Sequence, residues 1–161
     1  MTNEQILAYG TLLLALFTAA GVVTGVLFYW RQCNAQIFLE YTKRYDEVMN
    51  KFPADARRTR LDLFAEPPPE SEELTLAVLR YLNLSSEEYY LCARGYLSKH
   101  VWQIWEAELK RTLCSPLVMR EWKKLRTEFL TYAEFLEYVE ETQSESIAAV
   151  QVPSHDFRPS R

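Results

Sequence analysis

Charge is missing where this chain begins: after Glu4, the 26 residues from Gln5 to Trp30 hold no Asp, Glu, Lys or Arg. That excludes an ordinary solvated segment. Cysteine and histidine are scarce, at three and two. An odd cysteine count with no CxxC pair excludes a disulfide framework, and Cys33 alone has a second reading, as a juxtamembrane acylation site. His100 and His155 have no carboxylate or thiol at ligand spacing, which excludes a zinc site. The net charge of −4 and pI near 5.3 leave no basic excess, so no nucleic-acid partner is expected. The phosphate-binding GxxxxGK[ST] and GxGxxG, the hydrolase GxSxG, the metalloprotease HExxH and the calcium DxDxDG loop are all absent, and no cofactor is expected. No β-type alternation of useful length appears either.

What is present follows first from that uncharged run. Ile6 to Trp30 as a helix spans about 37 Å, enough to cross a hydrocarbon core of about 30 Å. A cleaved signal peptide fits poorly, because no Lys or Arg precedes the run and its length exceeds the about 15 residues of a signal core. Phe28-Tyr29-Trp30-Arg31 reads as an aromatic belt followed by a cation. Arg31, Lys43, Arg44 and Lys51 follow the run while Glu4 precedes it, so the positive-inside rule puts the N-terminus outside. The expected layout is an extracytoplasmic tail over 1–5, a transmembrane helix over 6–30, a cytoplasmic helical domain over 31–142 and a disordered tail over 143–161. The expected location is the inner, or plasma, membrane, with a single pass through the bilayer. Within the span, Gly21 and Gly25 form a GxxxG with Thr18 one turn earlier, a face on which two helix backbones approach closely in lipid. A homodimer through Thr18, Gly21 and Gly25 is the expectation.

Beyond the span the pattern stays helical. Phe38, Tyr41, Tyr45, Val48 and Phe52 recur at alternating spacings of three and four, and no Gly or Pro intervenes before Pro53. One long helix is expected to run from the membrane into the domain. Ala54 to Arg60 reads as a turn or short helix, and Pro67-Pro68-Pro69 as an extended spacer. Ser71 before Glu72-Glu73 marks a helix start, and Ser85 with Glu88 reads as a capping box opening a further helix that Gly95 ends. Ser98, Ser115-Pro116 and Thr131 with Glu134 mark three more starts. The fold class is therefore all-α: one N-terminal transmembrane helix continuing into a bundle of about five helices. Charge is uneven along it. Arg31 to Arg60 holds seven basic and four acidic residues, whereas Glu66 to Glu88 holds one and six.

The stretch Asn83 to Trp122, NLSSEEYYLCARGYLSKHVWQIWEAELKRTLCSPLVMREW, resembles a bacterial family of small, often membrane-anchored helical domains of unknown function. An SEEY segment, a GY turn, a VWxIWE helix and an SPLxxxxW helix start occur there in that order. The resemblance implies an anchored helical domain and supplies no catalytic residue.

For chemistry, Glu87, Glu88, Glu106 and Glu108 offer paired carboxylates, but Glu88 reads as a cap and the others as solvated faces. Tyr89, Arg94, Tyr96, His100, Trp102 and Trp105 form the candidate ligand or partner surface, with a packed aromatic core as the plainer reading. Two functions follow. The first is a non-enzymatic, membrane-anchored interaction or regulatory domain with an unidentified protein partner. The second is a ligand sensor or enzyme whose site lies between helices. An open, polar-lined cavity would favour the second, and a dry aromatic core the first.

Overall fold

The computed structural model describes residues 2–151, and every element among them is helical. Six α-helices follow one another: α1 Asn3–Met49, α2 Ala54–Thr59, α3 Glu72–Ala93, α4 Lys99–Leu113, α5 Pro116–Leu125 and α6 Ala133–Gln151, with a 3-10 turn Arg126–Phe129 before α6. Five helices after α1 match the expected bundle. The chain divides into two units between Glu40 and Tyr41.

The first unit is the N-terminal part of α1. Thr2 and Gln5 cap its start reciprocally: the Thr2 amide donates to Gln5 Oε1 at 3.0 Å and the Gln5 amide to Thr2 Oγ1 at 3.4 Å. Its most apolar stretch has no buried residue. Leu7, Leu14, Phe17, Leu27 and Phe28 are among the side chains left exposed. Its three inner threonines satisfy their own hydroxyls. Thr11, Thr18 and Thr24 donate their hydroxyls to the carbonyls of Leu7, Leu14 and Ala20 at 2.9, 2.9 and 2.8 Å, so none needs water.

The second unit packs α3, α4, α5 and α6 around one core. Leu74, Val78 and Leu82 of α3, Leu113 of α4, Leu117 and Val118 of α5, and Phe135 and Val139 of α6 are at most 2% exposed, as is Phe129 of the 3-10 turn. Aromatic rings join the layers: Trp122 to Phe129 at 5.4 Å and Phe129 to Phe135 at 5.7 Å between centroids. Ser71, Ser98 and Ser115 each accept the backbone amide three residues on, at 3.1, 3.3 and 3.3 Å, with Pro116 in the first turn of α5. Gly95 ends α3 at φ +74°, with its amide on Cys92 O at 3.0 Å and the Tyr96 amide on Leu91 O at 2.8 Å, a Schellman closure.

Three boundaries differ from the sequence reading. Ser85 and Glu88 do not open a helix, because α3 runs through them unbroken; both are buried on its inner face. The α6 helix opens at Ala133, two residues after Thr131, and the Tyr132 carbonyl accepts from the amides of Phe135 and Leu136. The disordered tail expected from Gln143 does not begin there. That residue lies inside α6 and donates its side-chain amide to Leu113 O at 3.0 Å, tying the helix to α4. Residues up to Gln151 are helical, and the rest of the expected tail lies outside the described residues.

The irregular stretch around Pro67-Pro68-Pro69 is held by side chains of the core helices. Arg111 donates to Leu61 O and Arg120 to Pro68 O, both at 2.8 Å. Between α5 and α3 sits Glu121, a carboxylate with no exposed surface, which accepts from Thr75 Oγ1 at 2.8 Å, Arg120 Nε at 2.9 Å and Lys124 Nζ at 3.2 Å. Burial alone would raise its pKa, but these three donors outweigh burial and hold it below the ordinary carboxylate value.

Candidate functional site

A cavity of about 200 Å³ opens between the last turns of α1, the middle of α3 and α4. Its wall combines Tyr41 and Tyr45 from α1, Ser85 and Glu88 from α3, and Trp105 and Glu108 from α4. Helical spacing assembles it: Tyr41 and Tyr45 stand one turn apart, as do Leu84 and Glu88, so each helix turns one continuous strip toward the same space. The rings of Tyr41 and Trp105 lie 5.8 Å apart at 35°.

Two arginines close ion pairs at its edges. Arg44 grips Glu87 with both guanidinium nitrogens, at 2.6 and 3.2 Å, and Tyr41 donates its hydroxyl to the same carboxylate at 3.2 Å. Arg60 donates to Glu108 at 3.0 Å and to the Tyr45 hydroxyl, which in turn donates to Glu108. Burial, and then the Glu108 carboxylate, push the Tyr45 phenol up to about 12.

Glu88 is different. Its side chain accepts no hydrogen bond from any described residue, and the residue is 8% exposed. Burial, with Glu108 and Glu87 adding repulsion that Arg44 only partly offsets, pushes this carboxyl up to about 8. At neutral pH it holds a proton that a surface glutamate would have lost.

The six residues expected to form one surface divide among several places. Trp105 lines the cavity. Tyr89 and Trp102 belong to a packed aromatic cluster, with centroids 5.9 Å apart and the Tyr138 ring 5.0 Å from Tyr89. Arg94 stacks over the Tyr90 ring at 5.4 Å beside a shallow groove that reaches Tyr132 and Glu134. Tyr96 and His100 are exposed and line none of the described cavities.

The carboxylates expected on solvated faces are partnered instead: Glu87 with Arg44, Glu108 with Arg60, and Glu106 with Lys110 at 3.0 Å. The cavity residues Tyr41, Tyr45, Glu88 and Glu108 therefore form a group that the sequence reading did not assemble. One signal was available. Glu88 lies seven residues after Tyr81 and four after Leu84, on the buried face of α3.

Comparison of the chain with family models, with curated proteins and with solved structures gives no match.

Proposed function

We propose that this is a single-pass membrane protein whose N-terminal helix anchors a non-enzymatic regulatory or interaction domain in the cytoplasm. The observation that carries the reading is the uncharged start of α1, a helix long and apolar enough to cross a bilayer with none of its most apolar stretch buried. Water solvates such a surface poorly, at about 25 cal/mol per Å² of exposed apolar area, and lipid removes that penalty. The basic residues Arg31, Lys43, Arg44 and Lys51 support an orientation with the N-terminus outside. Protease protection of tagged chains in sealed membranes tests this: a tag at the C-terminus should be protected in right-side-out vesicles, and cleavage there would reverse the orientation.

Within the bilayer, we assign homodimerisation to Thr18, Gly21 and Gly25. A Cβ built on Gly21 or Gly25 meets nothing within 4 Å in the single chain, so a larger residue there clashes only with a neighbour. Gly21→Ile and Gly25→Ile should each abolish association in a membrane two-hybrid assay, and an unchanged signal refutes the dimer.

The cavity, a largely apolar aromatic wall that carries the Glu88 and Glu108 carboxyls, favours a second, compatible reading, in which the helical unit senses a small ligand. Saturable binding of any small molecule, lost on filling the cavity with Ser85→Phe, tests it.

A further inference from the structure

We propose that the cavity between α1, α3 and α4 binds a small organic cation, an alkylammonium group neutralised by the Glu88 carboxyl within a wall of Tyr41, Tyr45 and Trp105. This rests on the reading that the cavity takes a ligand, and it names the class.

Three observations converge on a cation. The first is the balance of charge. Three carboxyls, Glu87, Glu88 and Glu108, stand around the cavity with two guanidinium groups, Arg44 and Arg60, and each arginine is already paired. The carboxyl left over is the buried one lining the cavity. A buried carboxylate without a partner is strongly unfavourable, so the empty site keeps a proton there. A cation supplies the missing charge instead.

The second is the wall. Tyr41, Tyr45 and Trp105 offer electron-rich rings, which attract an ammonium group within about 6 Å of their centroids. Both tyrosine hydroxyl protons are committed to carboxylates, Tyr41 to Glu87 and Tyr45 to Glu108. An anion would find these two donors spent and no arginine in the wall, since Arg44 and Arg60 are ion-paired outside the lining and the unpartnered guanidinium nitrogen Arg60 Nε does not belong to it. The third is size. A cavity of about 150 Å³ admits benzene, so about 200 Å³ accepts a headgroup such as trimethylammonium-ethanol and nothing as large as a nucleotide.

Binding is linked to protons. The groups around Glu88 are Glu108 on α4, Arg44, Tyr41 and Tyr45 on α1, Glu87 and Tyr81 on α3, and Arg60 through Glu108. Below about pH 8 the cation competes with the Glu88 proton, so apparent affinity should fall about tenfold per pH unit as the solution is acidified, with one proton released per ligand bound.

The test is titration calorimetry of the full chain in detergent with choline, tetramethylammonium and the neutral tert-butyl isostere of choline. Saturable binding of both cations, weakened by tenfold or more in Glu88→Gln while the variant melts no lower than the parent, is expected. Equal binding of the neutral isostere would overturn the cation and leave an apolar ligand site; no saturable heat from any of the three would overturn the cation as well, while the broader ligand reading stands or falls by the Ser85→Phe test. Undiminished choline binding by Glu88→Gln would also refute the proposal. Choline and a lipid headgroup present the same group, and lipid nanodiscs separate them. Loss of the choline signal in phosphatidylcholine discs but not in phosphatidylglycerol discs identifies the headgroup as the natural occupant, and retention in both identifies a free amine.

Discussion

Replacing Glu88 with Gln should stabilise the helical unit and remove most of its sensitivity to alkaline pH. The folded-state pKa of Glu88, about 8, lies above its usual value of 4.5. Below the lower value the carboxyl is protonated in both folded and unfolded chains and contributes no pH dependence. Between the two values only the unfolded chain gives up its proton, so stability falls as pH rises, and above about pH 8 the penalty is constant. The interval is about 3.5 pH units wide at about 1.36 kcal/mol each, giving an upper limit of about 5 kcal/mol. Water entering the cavity beside Glu88 lessens this, and we expect a gain of about 2 kcal/mol for Glu88→Gln at pH 8. Against a total stability of about 5–15 kcal/mol, that corresponds to a rise of about 8 °C in melting temperature for a unit of this size. Circular-dichroism melts of both proteins at pH 5, 6.5 and 8 test it. The curves should converge at pH 5 and separate progressively above it. Parallel curves, or a less stable variant at pH 8, would refute the assignment of Glu88 as a destabilised buried carboxyl.

The acid limb should belong to Glu121. Its lowered pKa makes its contribution present above the unfolded-state value and lost as pH falls through the folded-state value. Glu121→Ala should cost about 3 kcal/mol at pH 7, since it removes the shared acceptor of Thr75, Arg120 and Lys124; urea melts at pH 7 and pH 3 should show that difference shrinking in acid. Gly95→Ala should cost about 1 kcal/mol through its positive φ alone, because an added Cβ meets nothing within 4 Å, and Gly95→Asn should cost less. Arg44→Gln, which breaks a half-exposed pair, should change stability by no more than about 1 kcal/mol in the same melts.

The parts of the fold that are local in sequence were readable from it. A serine three residues before its amide partner, a proline in a first turn and a glycine past a last turn each encode a helix end within a few positions, and Ser71, Ser98, Ser115-Pro116 and Gly95 behave accordingly. The same local rule misled at Ser85, where the pattern of a cap lies within a helix whose apolar stripe continues through it. There tertiary burial outweighed local signature, and Ser85 and Glu88 face inward. The end of α6 was hidden for a related reason: Gln143 to Ser146 look polar, but a contact 30 residues back, from Gln143 to Leu113 O, holds them helical. The cavity was least legible. Its Arg44–Glu87 and Tyr45–Glu108 contacts join residues 43 and 63 positions apart, and no pattern within one helix encodes such a pairing. The aromatic surface expected around Tyr89 to Trp105 mixed two environments, since Trp102 and Trp105 are three residues apart but one is packed among rings and the other borders the cavity.

The central claim, that the uncharged start of α1 anchors this chain in a membrane, is tested most directly by carbonate extraction of native membranes followed by intact-mass measurement of the retained protein. The account predicts a full-length chain that stays with the lipid at alkaline pH. A protein released by carbonate, or one shortened by removal of its first apolar segment, would contradict it.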